Sequence, residues 1–196
     1  MTVRLTLVVL LAGVAIAATA SAATTLRFTR VAKNSMPAAP NLPDVGSYFG
    51  MVWTDAAADE VFKTELTPAQ EAKLVAVDFD THFVISAELR ARTSGWSLTA
   101  KRITLARVNR SKREFCVFLA VGKPKPGEAV VQRPHFVVDL VSVSSKRFQV
   151  DQFHWNIPTA LVLLTTSGKV LFRSTEGTDQ QNRPIVTGNA KACKKR

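Results

Sequence analysis

The chain has 196 residues, is 46% hydrophobic, and carries a formal net charge of +11 with a pI near 10.2. That length and apolar content fit one globular domain with a continuous core. Two cysteines with no CxxC pair argue against a zinc site. The basic residues come without a zinc, helix-turn-helix or RNA-binding aromatic motif, so nucleic acid is not an expected partner.

Residues 1–22 read as an export signal. Arg4 supplies the positive start, residues 5–18 are apolar apart from Thr6, and Ala20-Ser21-Ala22 has the small-x-small pattern of a signal-peptidase site. The run is near the lower limit of a bilayer-spanning helix and no charged flank follows it, so the mature chain is expected to be secreted or associated with the cell envelope. Residues 26–31 alternate and predict a first strand, after which Pro37, Pro40 and Pro43 mark an extended connector over residues 34–46. A second strand is expected over residues 48–53. Thr54 or Asp55 then opens a helix whose early acids suit the positive end of the dipole, with Val61 and Phe62 as its buried positions. Thr67, Pro68 and Glu71 form the N-terminal signature of another short helix over residues 68–74.

Beyond Ala76 the chain becomes strand-rich. Residues 83–89, 96–106, 114–121, 136–143, 160–165 and 169–173 are β-branched or aromatic and bounded by turn residues. Residues 115–121 are apolar on both faces and predict a central strand, whereas Trp96, Leu98 and Ala100 alternate with Ser97, Thr99 and Lys101 and predict one wet face. Thr166-Ser167-Gly168 is a hairpin signal. Residues 177–188 read as a polar loop leading to a mobile basic tail. The expected fold class is α+β, dominated by antiparallel β-sheet, sandwich-like or a partly open barrel, with one or two short helices. Its expected organisation is a leader (1–22), an N-terminal subregion (23–76), a β-rich core (77–176) and a polar loop with basic tail (177–196).

Little in the chain points to catalysis. His82, His135 and His154 are the only histidines, and neither His-Glu-x-x-His nor Gly-x-Ser-x-Gly occurs. Asp78, His82 and Ser86 sketch a triad by residue type, a trio that chance supplies in most chains of this length. Asp78 and Asp80 serve equally well as turn caps. No enzymatic activity, cofactor or metal is expected. Cys116 and Cys193 are the only cysteines, and in an exported chain an even count permits one disulfide. It would close a loop of about 76 residues, worth on the order of 4 kcal/mol, and pin the tail. A free Cys116 would sit equally well in its apolar run.

The positive charge is unevenly placed. Residues 44–88 hold nine acids against Lys63 and Lys73, and the bases are densest in residues 90–113, where no acid occurs. Arg90, Arg92, Lys101 and Arg102 lie in the first half of that stretch, and Arg107, Arg110, Lys112 and Arg113 in the second. With the tail at 191–196 they make an anionic wall polymer, a lipid surface or an acidic protein a candidate partner. Thr93-Ser94-Gly95-Trp96, Pro124-Lys125-Pro126-Gly127-Glu128 and Arg133-Pro134-His135-Phe136 are rigid turns. Rigid loops on a sheet scaffold carry binding, so Thr93, Ser94, Gly95, Trp96, Arg133, Pro134 and His135 are candidate protein-binding residues; ordinary hairpin turns are the alternative.

The order of these features resembles a known family. Asp78-Phe79 before Phe83-Val84-Ile85, then Thr93-Ser94-Gly95-Trp96-Ser97-Leu98, Phe115-Cys116-Val117, Pro124-Lys125-Pro126-Gly127-Glu128 and Pro134-His135-Phe136-Val137-Val138 are similar to the C-terminal domain of the protease complex subunit PrcB, over residues 77–143. Ser94 stands where that family has the first glycine of a Thr-Gly-Gly-Tyr turn. The resemblance implies a non-catalytic domain of an exported protein that accompanies and stabilises an extracellular serine protease. Thr93-Ser94-Gly95 and Arg133-Pro134-His135 also partly resemble two loops of chagasin-type cysteine-protease inhibitors, with His135 where the inserting tryptophan would stand and the middle glycine-rich loop absent. That second likeness implies an inhibitor that uses its turns as one edge.

Overall fold

The computed structural model describes residues 23–37, 46–52, 66–109, 112–146, 159–174, 177–178, 184–185 and 187–194. The expected leader, Pro40 and Pro43, the helix expected after Thr54, Arg110 and His154 lie outside the described residues. Among the described residues no helix is long and apolar enough to cross a membrane.

Two β-sheets pack face to face. The four-stranded sheet runs β2 (Phe28–Pro37), β7 (His135–Ser144), β4 (His82–Ala91), β3 (Gly46–Val52), antiparallel throughout. The seven-stranded sheet runs β1 (Thr24–Leu26), β5 (Ser97–Asn109), β6 (Lys112–Gly122), β8 (Thr159–Thr165), β11 (Pro184–Ile185), β10 (Gly177–Thr178), and β9 (Val170–Arg173) also pairs with β8. The fold is thus sheet-dominated, with two short helices among the described residues, α1 (Pro68–Val75) and α2 (Lys191–Lys194). Two pairings among the described strands depart from the antiparallel rule: β8 runs parallel to β6, and β11 runs parallel to β8. The intervening β7 belongs to the other sheet, so β8 returns beside β6 after two reversals and must share its direction.

Period-two patterning decides which side chains meet between the sheets. Phe83, Ile85 and Ala87 of β4 face Phe115, Val117 and Leu119 of β6, with Val137, Val141 and Val143 of β7 beside them. The Phe83 and Phe115 rings lie 6.0 Å apart and tilted, and each fully buried ring contributes about 1.5–3 kcal/mol. β6 is central, as its two-sided apolar run predicts: its other face carries Cys116 and Phe118 into a second cluster with Val162 and Leu164. Strands from residues 23–76 are hydrogen-bonded members of both sheets. The connector expected from Asn34 begins later, because residues 34–37 still pair with β7 and Pro37 closes an edge strand that needs no further donor there.

Helix α1 covers the outer face of the four-stranded sheet, placing Leu74 against Val31, Ala32, Val84 and Leu140. Its N-terminal partner is Gln70 and not Glu71: Gln70 Oε1 accepts the Thr67 N–H at 3.0 Å, and Gln70 Nε2 donates to the Lys33 carbonyl at 3.0 Å. Gln70 stands three residues after the cap, where a side chain reaches back to the cap backbone. Glu71 faces the helix dipole from the first turn.

One charged group sits among the inward-facing residues. Asp139 lies between Val137 and Val141 on β7 and is fully buried. It accepts Arg30 Nε at 2.7 Å and Arg30 Nη2 at 3.2 Å, and it accepts the backbone N–H of Ala100 from the opposite sheet. Arg30 also donates to the Ala100 carbonyl at 3.2 Å. Ala100 is free to turn both groups toward the other sheet because β5 has a bulge between Ala100 and Arg102.

On the outer face of the same sheet, burial raises the Glu88 carboxyl above its ordinary range, while the Ser86 hydroxyl, donating at 2.9 Å, and the Arg90 charge pull it back. A raised carboxyl pKa in the fold means that stability is lost as pH rises through it. Glu88→Gln should therefore be neutral or stabilising at pH 7, and the difference should vanish near pH 3, below the ordinary glutamate range of about 4.3. Chemical denaturation at the two pH values checks the sign.

Candidate functional site

The strand directions bring three turns to one end of the sandwich. Ala91 pairs with His135, Ser97 pairs with Gly122, and Leu119 pairs with Thr165. The β4–β5 turn (residues 92–96), the β6–β7 loop (123–134) and the β8–β9 turn (166–169) therefore share that end, and the Thr166 N–H donates to the Leu119 carbonyl at 3.0 Å. The first two are bonded to each other. Ser94 N–H donates to the Val131 carbonyl at 3.1 Å, and Val131 N–H donates to Ser94 Oγ at 2.8 Å. This reciprocal pair explains why a serine suits position 94: glycine would have no Oγ to accept the second bond.

Gly95 has φ +81°, and a Cβ there would meet Pro124 Cγ at 3.0 Å and Val130 Cγ1 at 3.2 Å. Both the backbone angle and the close packing demand glycine. Gly95→Ala should cost about 1–2 kcal/mol from the left-handed strain alone, and it should force the two loops apart. Denaturation together with loss of amide protection at Ser94 and Val131 measures both effects. Trp96 is half-buried against the core, with Lys123 Nζ 5.9 Å from its ring centroid. Within the longer loop, Lys125 N–H donates to Glu128 Oε2 at 2.8 Å, and Arg133 N–H donates to the Val131 carbonyl at 3.0 Å.

Of the seven candidate loop residues, Gly95 and Arg133 are exposed and Thr93, Ser94, Trp96 and Pro134 are half-buried. His135 is only 6% exposed, and its Nδ1 lies 2.9 Å from the Arg133 carbonyl, so this nitrogen carries the proton and the ring locks the loop base without projecting from it. Val131 was not legible as a site residue. It is 52% exposed, an apolar side chain in the β6–β7 loop whose backbone is fixed by the two Ser94 bonds.

The basic stretch is divided by the fold. Arg90 and Arg92 lie toward the loop end, Arg90 with its guanidinium 5.0 Å from the Phe136 ring centroid. Lys101 and Arg102 lie midway along β5, Arg102 stacked 3.9 Å over Phe118. Arg107, Lys112 and Arg113 lie at the opposite end, where Lys112 donates to the Thr187 carbonyl at 2.6 Å.

The trio of Asp78, His82 and Ser86 is not assembled. The Thr81 hydroxyl donates to Asp78 Oδ2 at 2.6 Å and lies 2.9 Å from His82 Nδ1, while Ser86 donates to Glu88. Asp78 is a turn cap whose carboxyl the Thr81 bond holds below its ordinary range.

Cys116 and Cys193 form a disulfide with Cα atoms 5.7 Å apart. The expected mobile tail is therefore folded onto the outer face of the seven-stranded sheet as far as residue 194, with Ala190 and Ala192 in the cluster around Cys116. The fully buried Glu114 accepts the N–H groups of Asn189 and Ala190 on Oε1, at 3.1 Å each, and those of Ala192 and Cys193 on Oε2, at 3.0 and 3.4 Å. Glu114 and the two sulfurs lie within 4.8 Å of one another, but the disulfide leaves neither sulfur as the thiolate that a metal needs. The cluster is a clamp for the C-terminal segment.

No family model, curated protein or solved structure matches the chain.

Proposed function

We propose that this chain is an exported, non-catalytic binding domain that docks a partner protein through the loop end; the PrcB-like turns make an extracellular protease the partner class to test first. The observation that carries the reading is the cross-bonded pair of loops, which fixes the backbone of the exposed Val131. Pre-organised loops lose little conformational entropy on association. Export is supported by the leader-like residues 1–22 and by the disulfide, which suits an oxidising compartment.

Direct inhibition of a papain-like protease is a second reading, favoured by the common end of the 93–96 and 133–136 turns, which a single inhibitory edge requires. The buried His135 weighs against it, because the residue in the inserting position does not protrude.

Co-purification of the full chain from the secreted fraction tests the proposal. A protease or envelope protein should be recovered, and Val131→Glu should lower its yield by about tenfold, the loss expected when one apolar anchor is replaced by a charge. Recovery of the chain alone would overturn the reading. Papain-like protease activity unchanged under excess purified protein would remove the inhibitor alternative and leave the accessory one.

A further inference from the structure

Among the described residues, the exposed charge at the loop end is almost all of one sign. Of these, Arg92, Lys123, Lys125, Arg133 and Lys169 are exposed there, and the one acid in these three described loops, Glu128, is turned onto the Lys125 N–H. Two of the other described acids are withdrawn from the surface. Asp139 and Glu114 are buried and matched internally, the first by Arg30 and the second by four backbone donors. Asp78 and Asp80 precede the start of β4, at the far end of the sandwich, where Lys112 and Lys146 give that end a mixed character. With these bases the β6–β7 loop also presents Val131, an apolar side chain that is 52% exposed.

We infer that the loop end recognises an acidic protein surface carrying an apolar socket, with the five bases as rim and Val131 as anchor. This rests on the docking role proposed above and adds the chemistry of the partner. A rim of one sign steers encounter and excludes basic surfaces, whereas a desolvated central side chain supplies the affinity that survives salt. Polyanions without apolar groups, including lipid headgroups, would meet the rim but leave the anchor in water.

The test uses the purified secreted protein, isotope-labelled, titrated at low ionic strength with a synthetic Glu/Leu peptide, with poly-glutamate and with phosphatidylglycerol vesicles. The Glu/Leu peptide should bind saturably and perturb the amides of Ser94, Val131 and Gln132. Arg133→Glu should weaken it at least fivefold, and Lys146→Glu, at the far end, should not. Val131→Ala should weaken the Glu/Leu peptide about fivefold and leave poly-glutamate unchanged. Vesicles bound more tightly than either peptide, or perturbations centred on Lys112 and Lys191, would overturn the inference. A partner recovered by co-purification that is lost with Val131→Glu but indifferent to Arg133→Glu would keep the docking end and overturn its acidic preference.

Discussion

Arg30→Ala should lower the stability of the fold by about 3 kcal/mol, a large share of the 5–15 kcal/mol that domains of this size possess. The loss comes from Asp139. Without Arg30 its carboxylate, fully buried between the sheets in the intact fold, keeps the Ala100 N–H as its one remaining protein donor. The Arg30 side chain is 40% exposed, so water entering its place softens the penalty below that of a fully enclosed pair. Replacing both partners, Arg30→Met with Asp139→Leu, should recover about half of the deficit, since no buried charge then remains and only the Ala100 N–H and carbonyl lose their partners. Urea denaturation of the two single variants and the double variant measures the coupling. Additive single losses would mean that Asp139 is not the group that makes Arg30 matter.

The second large effect is expected at the C-terminal clamp. Glu114→Ala removes the acceptor of four backbone N–H groups at once. Each buried donor left unpaired costs about 1–3 kcal/mol, so the segment should lift from the sheet before the full penalty is reached, at a net loss of about 3 kcal/mol. Amide exchange at Ala190 and Ala192 should accelerate while the rest of β6 stays protected. The disulfide still tethers Cys193 in that variant. Cys116→Ala with Cys193→Ala should cost about 4 kcal/mol through the chain entropy of a closed loop of this length, and adding Glu114→Ala should leave the tail open to proteolysis. Mass analysis of the unmodified protein should show no alkylated thiol until a reductant is added.

Glu114 and Asp139 also mark the boundary of what the chain announces by itself. Both are acids set into apolar strands, Asp139 at an inward position of the 137–143 alternation, and a buried carboxylate requires donors. That requirement is legible. Which donors answer it is not, because Ala100 is 39 residues from Asp139 and Ala190 is 76 residues from Glu114.

Strand positions, the central place of β6, the Thr67 and Pro68 helix start and the Gly168 turn could all be read locally, since side-chain alternation, caps and backbone angles depend on neighbours in sequence. The same holds for the leader-like composition of residues 1–22. Pairing was decided by the tertiary structure: β8 lies parallel to β6, residues 34–37 join an edge strand, and the basic stretch is parted between the two ends and the middle of β5. So was the choice between bridged and free cysteines, which turned on whether the tail could lie along β6. The candidate site divides in the same way. Residues 93–96 and 133–135 were marked by their turn chemistry, but Val131 carries no local signal, and its backbone is fixed by two hydrogen bonds to Ser94. Local propensity acts through adjacent residues, whereas register and loop contacts are settled by which faces can be buried together, a property of the whole chain.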